Sequence, residues 1–495
     1  MSASATSAKV VRSDELRSLL DELGDWSRGR GPLFRQLARG IAGGIERGAL
    51  AGGRRLPGER ELARVVHLSR GTVVAAYDTL VAEGMVDRRK GSGTFVAGAE
   101  GPGWPAGREG SSLVHRLVDR SGSSSPIIDL SLSVIHDAGD LPAVGLSTAD
   151  FVGLAPDSGY SPWGLPELRA AVAEQVTGWG LASRAQEVVI TTGAQQAISA
   201  AAACWVRPGD RVAVEDPTYP GAISAFTQAG ARLVGVATDH RGVRPAALAE
   251  VVATRPALVY LQSAVHSPTG AILSDERRQR VAAILGPSGV PLVEDLALAD
   301  LAWSTVPPPI ASYDKRVIAA VVGSLSKLFW GGLRVGWLRA PEAVALRIAR
   351  VKATHDLGSS APSQLLAQRL LATATKDGFA ARRRAELRRR HDTLTSTLAS
   401  ELPDWRWRQP MGGLSIWVRI PGGEAERFAR HALLHGVDVA PAGRALSCTD
   451  AHADRLRLSF SPPAPVLREG VRRLATAWAA WCGPGTRSHG RAPER

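Results

Sequence analysis

Apolar residues recur every fourth position after Pro32. Leu33, Leu37, Ile41 and Ile45 form one stripe that stops near Gly48, the period of a helix with a single buried face. After the turn AGGRRLPG, a short second helix is predicted over Glu59 to Val66. His67 and Leu68 then turn the chain, and Ser69 caps a third helix with Val73, Tyr77 and Leu80 on its inner face. Two short helices joined this tightly make a helix-turn-helix unit. From Met85 to Val96 the pattern shortens to β-prone runs around Arg89-Lys90-Gly91-Ser92-Gly93, which predicts a two-stranded wing with a basic tip.

Between Gly98 and Pro126 the periodicity lapses into Gly, Ser and Pro, as in a linker, with one helical turn at Leu113 to Val118. A flexible chain of that length has a root-mean-square reach of about 30 Å. Beyond it, strands alternate with helices: EVVIT then AQQAISAAAACWV, RVAVE, RLVGVA, ALVYL then DERRQRVAAIL, PLVED, RVIAAVVG, RVGWLRA. Such alternation predicts an α/β domain whose largely parallel sheet is covered on both faces and carries ligand groups at the strands' carboxyl ends. From about Ala343 helices resume, and LSIWVRI and RLRLSF predict a smaller α+β lobe. The expected plan is multi-domain: a winged helix-turn-helix at 28–97, a flexible linker at 98–126, the α/β domain with its α+β C-terminal lobe at 127–482, and a disordered tail at 483–495.

Composition narrows the class. A chain of 495 residues exceeds what one core usually organises. With 44% hydrophobic and 22% charged residues it is globular, and a formal net charge of +13 favours a polyanionic partner. Cys204, Cys448 and Cys482 are few, odd in number and far apart. That usage argues against a disulfide scaffold or a zinc site and for a reducing compartment, the cytoplasm. No apolar run approaches the roughly 20 residues that span a bilayer, and MSASATSAKVVRSDEL lacks the apolar core of a secretory signal. A soluble, unprocessed protein is expected.

Candidate chemistry begins in the helix-turn-helix. Ser69, Arg70 and Thr72 sit at the amino end of its second helix, where exposed N–H groups and the dipole favour phosphate and where side chains enter the major groove of double-stranded DNA. Arg70 has the geometry to fork onto guanine or clamp a phosphate, and Arg60 projects toward the backbone. Lys90, Gly91 and Ser92 would bring the wing to the minor groove or a phosphate. Arg88 and Arg89 fit a solvated basic surface equally well. In the order LPGERELA, LSRGTV, AEGMV, GSGTFV, residues Leu56 to Val96 resemble the winged helix-turn-helix of GntR-type repressors.

A second constellation lies downstream. In VVGSLSKLFWGGLRVGW, residues 321–337, a buried strand runs into Ser-x-Ser-Lys, a Gly-rich loop and Arg, a way of presenting one lysine to an aldehyde cofactor. A phosphorylated pyridine aldehyde needs an amine, supplied by Lys327. It needs an acid at its ring nitrogen, and Asp295 ends the apolar strand PLVED. Tyr219, in EDPTYPGA, can stack on the ring. The N–H groups of Gly193, Ala194 and Gln195 at a helix start can hold phosphate, with Ser324 and Arg334 closing the site. Arg457, in RLRLSF, is placed to fork onto a substrate carboxylate.

From about Tyr160 (GYSPWGLPELR) to Phe460 these residues resemble the class I aminotransferase fold of the pyridoxal-phosphate enzymes. The resemblance implies pyridoxal 5'-phosphate joined to Lys327 as a Schiff base. It also implies that Tyr160 reaches the partner subunit's phosphate in a homodimer. Two departures stand out. Ser267-Pro268-Thr269-Gly270 replaces the family's Asn-Pro-x-Gly, so the contact to the cofactor's phenolic oxygen persists through Ser267, weakens, or passes to His266. The tyrosine that often follows the ring-binding aspartate is absent from Asp295-Leu296-Ala297-Leu298. Both changes remove partners of the phenolic oxygen, so cofactor binding is expected to survive while transamination is impaired.

A GntR-like head, a linker and an aminotransferase-like domain in that order resemble the MocR/GabR regulators. The implied function is pyridoxal-phosphate-dependent transcription regulation at a DNA operator, responsive to the cofactor itself or to an amine or amino-acid effector. A working aminotransferase with an autoregulatory head is the enzyme alternative. A regulator with a vestigial pocket and a nonspecific nucleoid protein complete the set.

Overall fold

The computed structural model describes residue 26 and residues 32–46, 50, 54–82, 85–89, 93–96, 127–152, 154, 159–449 and 451–482. The chain divides into two compact units, Met1–Glu109 and Gly110–Arg495. Lys90, Gly91 and Ser92, the linker at 98–126 and the tail at 483–495 lie outside the described residues.

In the first unit, α1 (Leu33–Glu46), α2 (Glu59–Val65) and α3 (Arg70–Ala82) pack around one core. The four-residue stripe buries Leu37 and Ile41, while Val73, Tyr77 and Leu80 meet them from α3. The Tyr77 hydroxyl reaches out of that core and donates to the carbonyl of Pro57 (2.8 Å), fixing the LPG turn ahead of α2. The wing is β1 (Val86–Arg89) paired antiparallel with β2 (Gly93–Val96), Val86 opposite Val96. Leu56 N donates to Thr94 O (2.8 Å), so the segment before α2 extends the wing.

The second unit is built on eight strands: β3 (Val188–Thr191), β4 (Arg211–Asp216), β5 (Arg232–Asp239), β6 (Gly242–Val243), β7 (Leu258–Leu261), β8 (Leu292–Asp295), β9 (Ala319–Ser324) and β10 (Gly336–Arg339). Their order is β3-β10-β9-β8-β7-β4-β5-β6. Pairing is parallel from β9 through β8, β7 and β4 to β5. β10 runs opposite to both neighbours and β6 opposite to β5, so the sheet is largely parallel, as expected, with these two strands reversed. The segment between β9 and β10 is too short for the crossover a parallel return requires, so the chain folds back as a hairpin around Lys327. Strands β3, β7, β8, β9 and β10 are buried along their whole length, as continuous apolar runs covered on both faces must be.

The smaller lobe carries β11 (Arg406–Trp407), β12 (Ser415–Arg419), β13 (Ala440–Pro441) and β14 (Arg455–Ser459) in the order β11-β12-β14-β13. The start of the unit belongs to this lobe as well: Ile128–Asp129 pairs parallel with Val437–Asp438. Thr191, Asp216, Asp295 and Ser324 end β3, β4, β8 and β9 of the large sheet, and the candidate chemistry gathers around those ends.

Candidate functional site

Asp295 is the last residue of β8 and only 8% exposed. Its Oδ2 accepts from the Tyr260 hydroxyl (2.6 Å) and its Oδ1 from Ala297 N (2.8 Å). Burial pushes the carboxyl upward, while those two hydrogen bonds and the charge of Lys327 pull it back. Tyr260, on the adjacent strand β7, was not singled out from the sequence. It supplies a tyrosine to this aspartate from across the sheet, although its own phenol is driven far up by burial and by Asp295. A hydrogen bond to a charged group contributes about 1.5–3 kcal/mol. Tyr260→Phe is therefore expected to lower the unfolding free energy by that amount in urea melts at pH 7, and an unchanged midpoint would exclude the bond.

Lys327 sits in a one-turn helix, Leu325–Leu328, which Ser324 begins at the end of β9. Burial draws its amine down to about 8, helped by Arg457 and Arg334 and opposed by Asp295. Its Nζ donates to the carbonyl of Ser133 (2.6 Å). Only the neutral amine attacks an aldehyde, and at this pKa the neutral fraction climbs from about one tenth at pH 7 to about nine tenths at pH 9. The rate of pyridoxal phosphate capture should rise about tenfold over that interval and then level off, as read by stopped-flow absorbance. An unperturbed lysine would give roughly a hundredfold rise with no plateau.

The phosphate side forms around α4 (Ala194–Trp205), whose N-cap is Gly193 in the left-handed region (φ 84°). A Cβ at Gly193 would stand 3.2 Å from Arg334 Nη2, and that guanidinium donates to Thr192 O (3.0 Å). Gly193, Ala194, Gln195 and Arg334 are thus brought together. Ser324 ends β9, which is separated from β3 by β10. Tyr219 caps the next helix, Pro220–Gln228, and burial lifts its phenol to about 12. Gly221 is required here, since a Cβ would collide with Tyr219 and with Gln195 Oε1.

Ser267 N and O are both held by the side chain of Gln262 (3.0 Å each), while Ser267 Oγ is buried without a hydrogen-bond partner. His266 faces elsewhere. Its Nδ1 meets Thr269 Oγ1 (2.8 Å) and its Nε2 lies 3.6 Å from Glu215 Oε2. Burial keeps that imidazole neutral by lowering it to about 4 and raises Glu215 to about 8. Of the routes open at the Ser-Pro-Thr-Gly departure, the geometry favours Ser267 over His266. A buried hydroxyl without a partner, a buried amine, an acid at a strand end and a glycine-capped helix N-terminus are the set of groups that suits a pyridoxal phosphate ring with its phenolic oxygen and phosphate.

Arg457, on β14, is 3% exposed, and its Nη2 donates to Ser131 O (2.6 Å). Tyr160 is 64% exposed.

At the head, Ser69 Oγ accepts from Thr72 N (3.1 Å) and meets Thr72 Oγ1 (2.8 Å), the cap expected at the start of α3. Arg60 and Arg70 are exposed. Arg70 Nη2 donates to Glu59 Oε2 (3.1 Å), a partner not anticipated from the sequence. Arg88 pairs with Asp78 (2.6 Å) and Glu59 (3.4 Å), so this wing arginine is committed within its own unit. An acidic residue in the first turn of α2 was the available signal for Glu59.

A lysine on the strand-to-helix turn of a doubly covered sheet, with an aspartate on the neighbouring strand and a glycine-capped helix across from it, defines a fold type I pyridoxal-phosphate domain. Residues 127–474 match the family model "Aminotransferase class I and II", and residues 33–96 match "Bacterial regulatory proteins, gntR family". The Bacillus subtilis "Uncharacterized HTH-type transcriptional regulator YisV" is 30% identical over 87% of this chain and 93% of its own length. "HTH-type transcriptional regulator TauR" of Rhodobacter capsulatus is 29% identical over 91% of this chain and 97% of its own. Among solved structures, LysN, the α-aminoadipate aminotransferase of Thermus thermophilus, superposes with a TM-score of 0.64 at 28% identity, covering 74% of this chain and 93% of its own. The chain belongs to the class I and II aminotransferase family, in the MocR-type arrangement in which that domain follows a gntR-family DNA-binding head. Pyridoxal phosphate is its cofactor.

Proposed function

We propose that this protein is a cytoplasmic, homodimeric transcription regulator whose operator binding responds to pyridoxal phosphate or to an amine or amino acid that reaches the same pocket. The observation that carries the reading is the meeting of Lys327 with Asp295, Arg334 and Arg457 in one electrostatic cluster, in a chain that opens with a capped, arginine-bearing recognition helix. No helix among the described residues is long and apolar enough to cross a membrane.

When bound, the cofactor supplies a ring that takes up electrons from a substrate amine joined to it. The residues around it divide the remaining work. Lys327 supplies the amine that holds the aldehyde, neutral for part of the time because its pKa is near 8. Asp295, kept in register by Tyr260, would stand at the ring nitrogen of a bound cofactor and favour its protonated form. Gly193, Ala194 and Gln195 would direct N–H groups at phosphate, with Ser324 and Arg334 closing the site, and Tyr219 would cover the ring. Ser267 Oγ would take the phenolic oxygen. Arg457 offers a fork to a carboxylate, and Tyr160 completes the partner's phosphate site. In the head, Arg70 reads a base or clamps phosphate, while Arg60, Ser69, Thr72, Lys90, Gly91 and Ser92 hold the backbone. The effector must bind two arrangements of the molecule unequally, since equal affinity shifts nothing.

A single hydroxyl at position 267 leaves the phenolic oxygen less well held than an asparagine would, which supports binding without efficient turnover. Steady-state assays across a panel of amino acids and 2-oxoglutarate are expected to give turnover well below about 1 s⁻¹, the low end for ordinary enzymes. Rates in the usual range of about 1–10³ s⁻¹ would favour the working aminotransferase instead.

A further inference from the structure

Residues 130–135 tie the smaller lobe to the turn that carries Lys327. At the lobe end, Leu130 N donates to Asp438 O (2.9 Å) and Ser459 N donates to Leu130 O (2.7 Å). Asp129 Oδ1 fixes the next turn by accepting from Ser131 N (2.7 Å), Ser131 Oγ (2.8 Å) and Leu132 N (3.1 Å). Arg457, also of the smaller lobe, reaches Ser131 O (2.6 Å). At the far end, Lys327 Nζ donates to Ser133 O (2.6 Å) and Gly331 N to Ile135 O (3.1 Å). Val134 seats the segment by filling the notch above a glycine: a Cβ on Gly331 would stand 2.3 Å from Val134 Cγ2.

We propose that this segment is a strap through which occupancy of the pocket is passed to the linker. The proposal rests on the regulatory reading above and names the element that carries its signal. The chemistry is competitive. As an ammonium, Lys327 has three N–H donors. When its nitrogen condenses with an aldehyde carbon and water leaves, at most one N–H remains, and the Ser133 carbonyl loses a charge-assisted partner. A half-buried carbonyl left without its donor is unfavourable, so the middle of the strap loosens between Leu132 and the anchor that Gly331 N, Val134 and the buried Ile135 form at its far end. The smaller lobe is thereby untied from the Lys327 turn. In sequence the strap begins four residues after Pro126, where the linker ends, so freedom of this lobe is freedom of the linker's anchor.

Full-length protein, pyridoxal phosphate as the probe, amide hydrogen exchange of residues 130–135 and operator affinity test this together. Saturation with the cofactor is expected to accelerate exchange at residues 132–135 by at least about tenfold, the scale of ordinary allosteric coupling. Val134→Ala empties the notch and Gly331→Ala pushes Val134 out of it; Gly331 lacks a positive φ, so alanine meets no backbone strain there. Both variants should bind the cofactor within about twofold of wild type while its effect on operator affinity shrinks below about twofold. If the wild-type operator affinity responds to the cofactor but strap exchange does not change, or both variants keep the full response, the strap is refuted and the regulatory reading stands. If wild-type operator affinity ignores the cofactor, the regulatory reading fails and the strap fails with it.

Discussion

Lys327→Ala should leave the protein colourless when saturated with pyridoxal phosphate, with the near-visible absorbance of the covalent link abolished. Apparent affinity should fall by at least about a hundredfold, equivalent to about 2.7 kcal/mol. The argument is local. On the proposed roles, Asp295, Arg334 and the N-terminus of α4 would still hold the ring nitrogen and phosphate, so weak binding persists, and among the described residues Lys327 is the lysine coupled to Asp295. The fold should survive, because the lysine side chain contributes one hydrogen bond, to Ser133 O, and its burial as a cation opposes folding. A yellow, borohydride-reducible adduct in the alanine variant would place the reactive amine elsewhere.

The second large effect belongs to the head. Arg70→Ala is expected to weaken operator binding by about 1–3 kcal/mol and to relax the preference at one base position. Arg70 lies one residue after the Ser69 cap and is exposed, and its guanidinium is oriented by Glu59 rather than loose in solvent. Surface pairs of this kind hold little energy, so duplex DNA can take the arginine from Glu59 at small cost. Arg60→Ala should behave differently, weakening all sequences alike and reducing the salt dependence by about one ion. Competition binding against scrambled duplex at two salt concentrations separates the two. Equal losses on operator and scrambled DNA for Arg70→Ala would make it a phosphate clamp only.

What was legible in the sequence is what local periodicity encodes. Val73, Tyr77 and Leu80 announced the buried face of α3, and the continuous apolar runs ending in Asp295 and Ser324 announced strands buried on both faces. Lys327 was legible because strand, turn and lysine are adjacent in the chain. The pairings that complete the site were not. Tyr260 and Asp295 are 35 residues apart and meet only because β7 and β8 are neighbours in the sheet, an order no run of side chains specifies. The same holds for Arg457 on Ser131 O, 326 residues away, and for Lys327 on Ser133 O. The reversed direction of β10 follows from the short connection after β9, and Glu59 escaped notice because a helix-starting glutamate is commonly no more than a favourable charge at the dipole.

The central claim is that capture of the cofactor by Lys327 is felt at the DNA-reading head. Its most direct test is a titration of pyridoxal phosphate against operator affinity, run in parallel on wild type and Lys327→Ala. The account predicts a shift of at least about fivefold for wild type, in either direction, and none for the variant. An operator affinity that stays constant as the wild-type pocket fills would contradict it.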